Sequence, residues 1–143
     1  APNRACYIPV GHSGVDMFSD APDQLPLDLV TARLKPLLED PAVLKIGHTL
    51  KYDQTIFFKH GISVAPIDDT MLMSFALDAG RGVGGHGLDE LAKQNFEHEC
   101  LPFKSVCGTG KSQITFDKVP LPQATEYAAE DADITLRLWH RLK

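Results

Sequence analysis

Tyr127-Ala128-Ala129-Glu130-Asp131-Ala132-Asp133 begins the last helical pattern of the chain, and its reading decides the rest. Apolar or small residues recur at 124, 127, 128, 135, 138, 139 and 142, the spacing of one buried helical face, and Asp131 falls inside that stripe. A carboxylate is therefore aimed at the interior, where it must be protonated, hydrogen-bonded or bound to a cation. Tyr127 stands one turn earlier on the same face, about 5–6 Å away at Cβ, so a phenol and an acid address one spot. Glu126, Glu130 and Asp133 read as acids favoured by the helix dipole and lying mainly on the outer face, with Arg137, His140, Arg141 and Lys143 at the opposite end. That accounts for the outer acids. Asp131 is left with two readings, a satisfied buried aspartate or a functional acid.

Working back along the chain, residues 43–47 form a short apolar run that suits a buried strand. His48-Thr49-Leu50-Lys51-Tyr52-Asp53 follows as a strand-to-helix turn, with Thr49 as a plausible N-cap and the helix stopping at Gly61. Leu50, Ile56 and Phe57 mark its buried face. Asp53, three residues after Leu50 and four before Phe57, turns a second carboxylate inward.

Elsewhere the pattern predicts a strand over 4–10, a surface loop over 11–23, and a helix over 27–39 interrupted by Pro36. It also predicts a short strand over 62–67, then a helix over 71–77 capped by Asp68-Asp69-Thr70. A Gly-rich loop covers 81–87, a short helix 88–96, and loop-like chain 101–115, and Pro120 and Pro122 delay the final helix to about Gln123.

With 143 residues and 43% hydrophobic content, the chain is the size of one domain with a real core. No apolar run approaches the roughly 20 residues a bilayer span needs, and no signal peptide is visible, so a soluble cytoplasmic protein is expected. The net charge of −5 argues against holding duplex DNA by a basic surface alone. Carboxylates with divalent cations could still hold a phosphate chain, because the metal supplies the positive charge. Cys6, Cys100 and Cys107 match no zinc spacing and read as free thiols. Gly110-Lys111-Ser112 ends like a phosphate loop, but Ser105 stands where the first glycine belongs and an extended segment follows.

Two acids from separate helices and a tyrosine suit metal-assisted phosphoryl transfer to water, with the phenol positioning the water rather than acting as a strong base. The stretches Lys45-Ile46-Gly47-His48-Thr49-Leu50-Lys51-Tyr52-Asp53 and Tyr127 through Asp133 resemble the second and third motifs of the 3′ to 5′ proofreading exonuclease domain of bacterial DNA polymerase I. Leu34-Lys35-Pro36-Leu37-Leu38-Glu39-Asp40, Asp69-Thr70-Met71-Leu72 and Gly110-Lys111-Ser112-Gln113-Ile114-Thr115-Phe116 agree as well, so the resemblance covers nearly the whole chain. Tyr127 places it in the DEDDy subgroup, which also contains ribonuclease D.

The resemblance implies an α/β, ribonuclease H-like mixed sheet flanked by helices, with residues 1–143 as part of one exonuclease domain. It implies Asp53, Tyr127 and Asp131 as catalytic residues, a two-metal site for Mg2+ or Mn2+ in the complete domain with Asp131 as direct ligand and Asp53 acting partly through water, and Thr49, Lys51, Tyr52, Arg81 and Phe103 along a single-stranded 3′ end. Thr49 stands where relatives usually carry Asn. The family's first motif, Asp-x-Glu on the opening strand, has no counterpart here, and Asp16, Asp20 and Asp23 lie in a loop. A sheet lacking its first strand, an open edge beside 43–47 that invites dimerisation, and weak metal binding are therefore expected. The implied partners are a single-stranded DNA 3′ end and a polymerase domain of the same polypeptide. An RNA-trimming exonuclease like ribonuclease D and a catalytically dead binding module or scaffold are the competing readings.

Overall fold

The computed structural model, which describes residues 2–14, 21–78 and 84–143, is an α/β fold built on its last helix. In chain order the elements are α1 (Leu27–Glu39), β1 (Lys45–Gly47), α2 (Leu50–Lys59), β2 (Ile67–Asp69), α3 (Thr70–Asp78), α4 (Leu88–Phe96), α5 (Phe103–Cys107) and α6 (Leu121–Leu142). Single 3₁₀ turns, Gly110–Ser112 and Phe116–Lys118, join the last two helices. β1 and β2 pair in parallel, with Lys45 opposite Ile67 and Gly47 opposite Asp69, and α2 makes the crossover that parallel strands require.

Among the described residues the sheet is these two strands alone, smaller than the mixed sheet expected. Residues 4–10 add no strand. Pro9 withholds a donor there, and side-chain packing fixes the segment instead: the Tyr7 hydroxyl meets His12 Nε2 at 2.5 Å and its ring lies edge-on to Phe116 at 6.4 Å. Residues 62–65 run irregularly with Ile62 and Val64 buried, and the strand begins only at Ile67, after Pro66 has lent its carbonyl to the Lys45 N–H.

α6 starts at Leu121, two residues earlier than the sequence suggested, because Pro122 sits in the first turn where its missing N–H is no loss. Its second half packs Ile134 and Leu138 against Leu91 and Ala92 of α4. Its first half sets Ala124 against Val106, Cys107 and Val119. One helix thus joins both apolar clusters, and truncating a fully buried leucine such as Leu138 in such a place typically costs about 2–5 kcal/mol. α6 also lies against β1 and α3, and Trp139 Nε1 donates to Asp68 Oδ2 of β2 at 2.6 Å. The residues expected on the helix face behave so at Ala124, Thr135 and Leu138, all buried, and Ile134, outside the expected stripe, is buried with them.

The β1–α2 turn is tight. A Cβ on Gly47 would stand 2.3 Å from Leu50 Cδ2, so glycine is what lets Leu50 fold back over the strand end. Leu50 is buried and Phe57 half-buried, but Ile56, expected inside, is 39% exposed. The helix ends at Lys59 with Gly61 at φ 71°, as its sequence indicates.

Thr49 does not cap α2 with its own hydroxyl. Its backbone is left-handed, φ 61° and ψ 40°, and the hydroxyl turns to Met71 Sδ at 3.5 Å. A β-branched residue is strained there, while asparagine tolerates the conformation. Thr49→Asn is therefore expected to stabilise the chain by about 1 kcal/mol, read as a higher midpoint in denaturant unfolding. An unchanged or lower midpoint would show that the turn carries no such strain.

Candidate active site

β1 delivers the chain into the turn at residues 48–49, and one turn into α2 stands Asp53. Because α6 lies against β1, Asp131 arrives at the same place from the other side. Both acids line one cleft of about 580 Å³ that runs along β1, with Leu88 of α4 and Thr135 of α6 also on its wall. Asp131 is half-buried, as its place in the apolar stripe predicts, whereas Asp53, expected to face inward, is exposed although it borders the same cleft, because it stands in the first turn of α2 where Lys51 and Tyr52 are uncovered too.

Asp131 is half-buried. Burial pushes its carboxyl up to about 6, the charges of Asp89 and Glu130 add to this, and a hydrogen bond from Tyr127 partly offsets it. The Tyr127 hydroxyl is pushed up to about 12, first by burial and then by Asp131, so it stays protonated as a donor. Asp53 reaches solvent by its surface area, yet the cleft walls thin its water and raise its pKa, with the charge of Asp69 adding. Burial lowers the His48 pKa, keeping the ring neutral, and its Nδ1 faces Thr70 Oγ1 at 2.9 Å.

Phe103 opens α5 partly exposed, stacked on Phe116 at 6.3 Å and edge-on to Tyr127 at 6.0 Å. It therefore joins the tyrosine end of the site. Thr49 sits in the turn before Asp53. Lys51 borders a different groove, with Phe58 and Ser63, and Tyr52 is 71% exposed. Arg81 lies outside the described residues, as do Asp16 and Asp20.

Three acids have roles that the sequence did not reveal. Asp69, buried, accepts the N–H groups of Thr49 and Leu50 at the start of α2 and of Met71 and Leu72 at the start of α3, at 2.8 to 3.4 Å. The expected cap of α3 is present, and the same carboxylate also does the work assigned to Thr49. Asp89, in the first turn of α4, adds its charge to Asp131 and Tyr127. Glu130, expected on the outer face, turns inward and takes the Leu101 N–H at 2.6 Å while facing His98 Nε2 at 2.8 Å. Asp133 is also largely covered, beside Arg137 at 3.7 Å.

The donor set fits a hard dication. Two carboxylates share a cleft, and both are raised first by burial and then by neighbouring acids, an excess of negative charge that a bound cation would offset. The phosphate-loop reading fails. Gly110–Ser112 is one 3₁₀ turn, followed by irregular chain rather than a helix that could receive a phosphate.

A family model described as 3′-5′ exonuclease matches residues 1–143. The chain is similar to DNA polymerase I of Rhizobium leguminosarum, 48% identical over 98% of this chain and 14% of that protein. It is similar to DNA polymerase I of Pseudomonas aeruginosa, 40% identical over 98% of this chain and 15% of that protein. It thus spans about one seventh of these relatives' length. A solved structure described as the apo form of a nuclease superimposes with a TM-score of 0.59 at 25% identity, covering 76% of this chain and 49% of that one.

Proposed function

The chain belongs to the 3′-5′ exonuclease domain family, and from that premise we propose that it removes nucleotides from single-stranded or frayed DNA 3′ ends, as the proofreading part of a polymerase I polypeptide. The ribonuclease H-like α/β fold agrees with this. The observation that carries the reading is the meeting of Asp53 and Asp131 on one cleft, with Tyr127 one helical turn before Asp131 on α6.

Mg2+ or Mn2+ held by Asp131 and Asp53 would supply charge stabilisation at the scissile phosphate. Tyr127, kept protonated, orients the attacking water through its hydroxyl. The water oxygen bonds to phosphorus as the bond to the preceding nucleotide's 3′ oxygen breaks, and the proton the water loses is balanced by the one that leaving oxygen takes up from solvent. The exposed ring of Phe103 offers a stacking face for a terminal base, worth about 1–3 kcal/mol per base and indifferent to sequence. Thr49, in the turn before Asp53, would contact the strand further back, with exposed Tyr52 offering a ring beside it and Lys51, bordering the neighbouring groove, offering a charge for a phosphate beyond the cleft; the expectation for Arg81 falls outside the described residues. The cleft edge beside β1 is unpaired among the described residues, and a second copy of the chain adding a strand there would make a dimer. No helix among them is long and apolar enough to cross a membrane, and we place the protein in the cytoplasm with its DNA substrate.

The test is digestion of 5′-labelled single strands with Mn2+. Stepwise shortening from the 3′ end, faster on DNA than on RNA, supports the proposal. Preference for RNA would move it to the ribonuclease D chemistry, and no shortening, even after fusion to the segment that precedes the matched region in a longer relative, would leave a binding module.

The raised Asp131 also predicts a pH dependence. Its folded value of about 6 exceeds the unfolded carboxyl value, so its contribution to cation-free stability is full below about pH 3.9, the unfolded value, and lost as pH rises through about 6. A cation competes with that proton. The rise in melting temperature on adding Mn2+ should be larger at about pH 7.5 than at about pH 5, and Asp131→Asn should remove the difference; an equal rise at both values would contradict it.

A further inference from the structure

One cluster of ligand-type side chains lies beside the cleft but takes no part in the chemistry above. α4 ends at Phe96 with Glu97 in the left-handed region, and the chain then turns His98 and Cys100 back toward α6. Cys100 packs against the cluster of Leu91, Ala92, Ile134 and Leu138. There Glu130 reaches them from α6, and the ligating atoms of His98, Cys100 and Glu130 all lie within 4.8 Å of one another.

We propose that His98, Cys100 and Glu130 form a binding site for a borderline-soft divalent cation, of which Zn2+ is the natural member, separate from the oxygen-lined cleft. An imidazole nitrogen, a thiolate and a carboxylate oxygen make a three-ligand set for a tetrahedral ion with one open position, at bonds of about 2.0–2.3 Å. The cluster is held ready for it. Glu130 Oε2 is fixed by the Leu101 N–H at 2.6 Å, which leaves Oε1, 2.8 Å from His98 Nε2, on the side of the imidazole.

The His98–Glu130 bond by itself would explain two of the three residues as an ordinary tie between α6 and the chain after α4. Cys100 is what the tie does not need. Its Sγ, within 4.8 Å of both the imidazole nitrogen and the carboxylate oxygen, adds a third donor to theirs. Mg2+ and Mn2+ prefer oxygen ligands and favour the cleft, whereas imidazole and thiolate select zinc-like ions. Occupancy would lock Glu130 one residue before Asp131, clamping the helix that carries the site. The inference does not rest on the exonuclease reading.

The test is a titration of the reduced 143-residue chain with Co2+, a Zn2+ surrogate, following the thiolate-to-cobalt charge-transfer absorption. One equivalent should saturate the band, Zn2+ should abolish it and excess Mg2+ should leave it. Cys100→Ser should lose the band and Asp53→Ala should keep it. His98→Gln should weaken Co2+ binding by at least about tenfold, and the Zn2+-induced rise in melting temperature should persist in Cys6→Ser but vanish in His98→Gln. Absence of the band at stoichiometric Co2+, its survival in Cys100→Ser, or a Zn2+-induced rise that survives His98→Gln would overturn the site.

Discussion

Asp131→Ala should lower Mn2+-supported digestion of single-stranded DNA by at least about 10³-fold, while the cation-free chain folds as before and melts slightly higher near neutral pH. The two halves of this result have one cause. Asp131 is held half-buried with its carboxyl raised to about 6, so in the absence of a cation it is a cost to the fold at neutral pH. That cost is worth carrying only if a bound cation is the partner that relieves it. Asp131→Asn keeps the shape and should behave alike. If either variant digests DNA at the parent rate, the acid is structural; if either unfolds, its desolvation is satisfied by the protein itself.

Asp69→Ala should cost about 3–5 kcal/mol of stability, read as a lower midpoint at unchanged slope in urea unfolding. The carboxylate is 8% exposed and accepts four backbone N–H groups at the starts of α2 and α3. Alanine leaves all of these donors unpaired in a place water reaches poorly. Ordinary N-cap losses run to about 1 kcal/mol each, and here two helices lose theirs together. Asp69→Asn retains one acceptor oxygen and should fall between the parent and alanine. Because the same bonds fix the turn that aims Asp53, both variants should also weaken Mn2+ binding. A loss under about 1 kcal/mol for alanine would mean that the turn holds without its carboxylate.

Local pattern carried much of this architecture. The periods of α1 and α4, the stop at Gly61 and the cap at Asp69 are written in neighbouring residues, and the structure has each of them. Asp131 was legible because an acid inside an apolar stripe is drawn toward the interior, while the same reasoning overstated the burial of Asp53, which is exposed near the start of a short helix. What escaped depends on partners far along the chain. Glu130 turns inward because His98 and Leu101 wait for it about 30 residues earlier, which no helical wheel records. α5, with five residues, is too short to display a period. Ile56 stays exposed because nothing among the described residues covers that side of α2. Residues 4–10 carry a strand-like composition, but strand formation needs a neighbour to pair with, and Tyr7 finds an aromatic cluster first.

The nuclease reading depends on α2 and α6 presenting two acids to one cation. Mn2+ binding, followed by electron paramagnetic resonance of the free ion in the parent, Asp53→Ala and Asp131→Ala, measures it without any need for turnover. Binding in the parent should be weak, with a dissociation constant of about 10⁻⁴ M or higher for a site with so few carboxylates, and each substitution should abolish it. Undiminished binding in either variant would mean that the two acids do not share an ion.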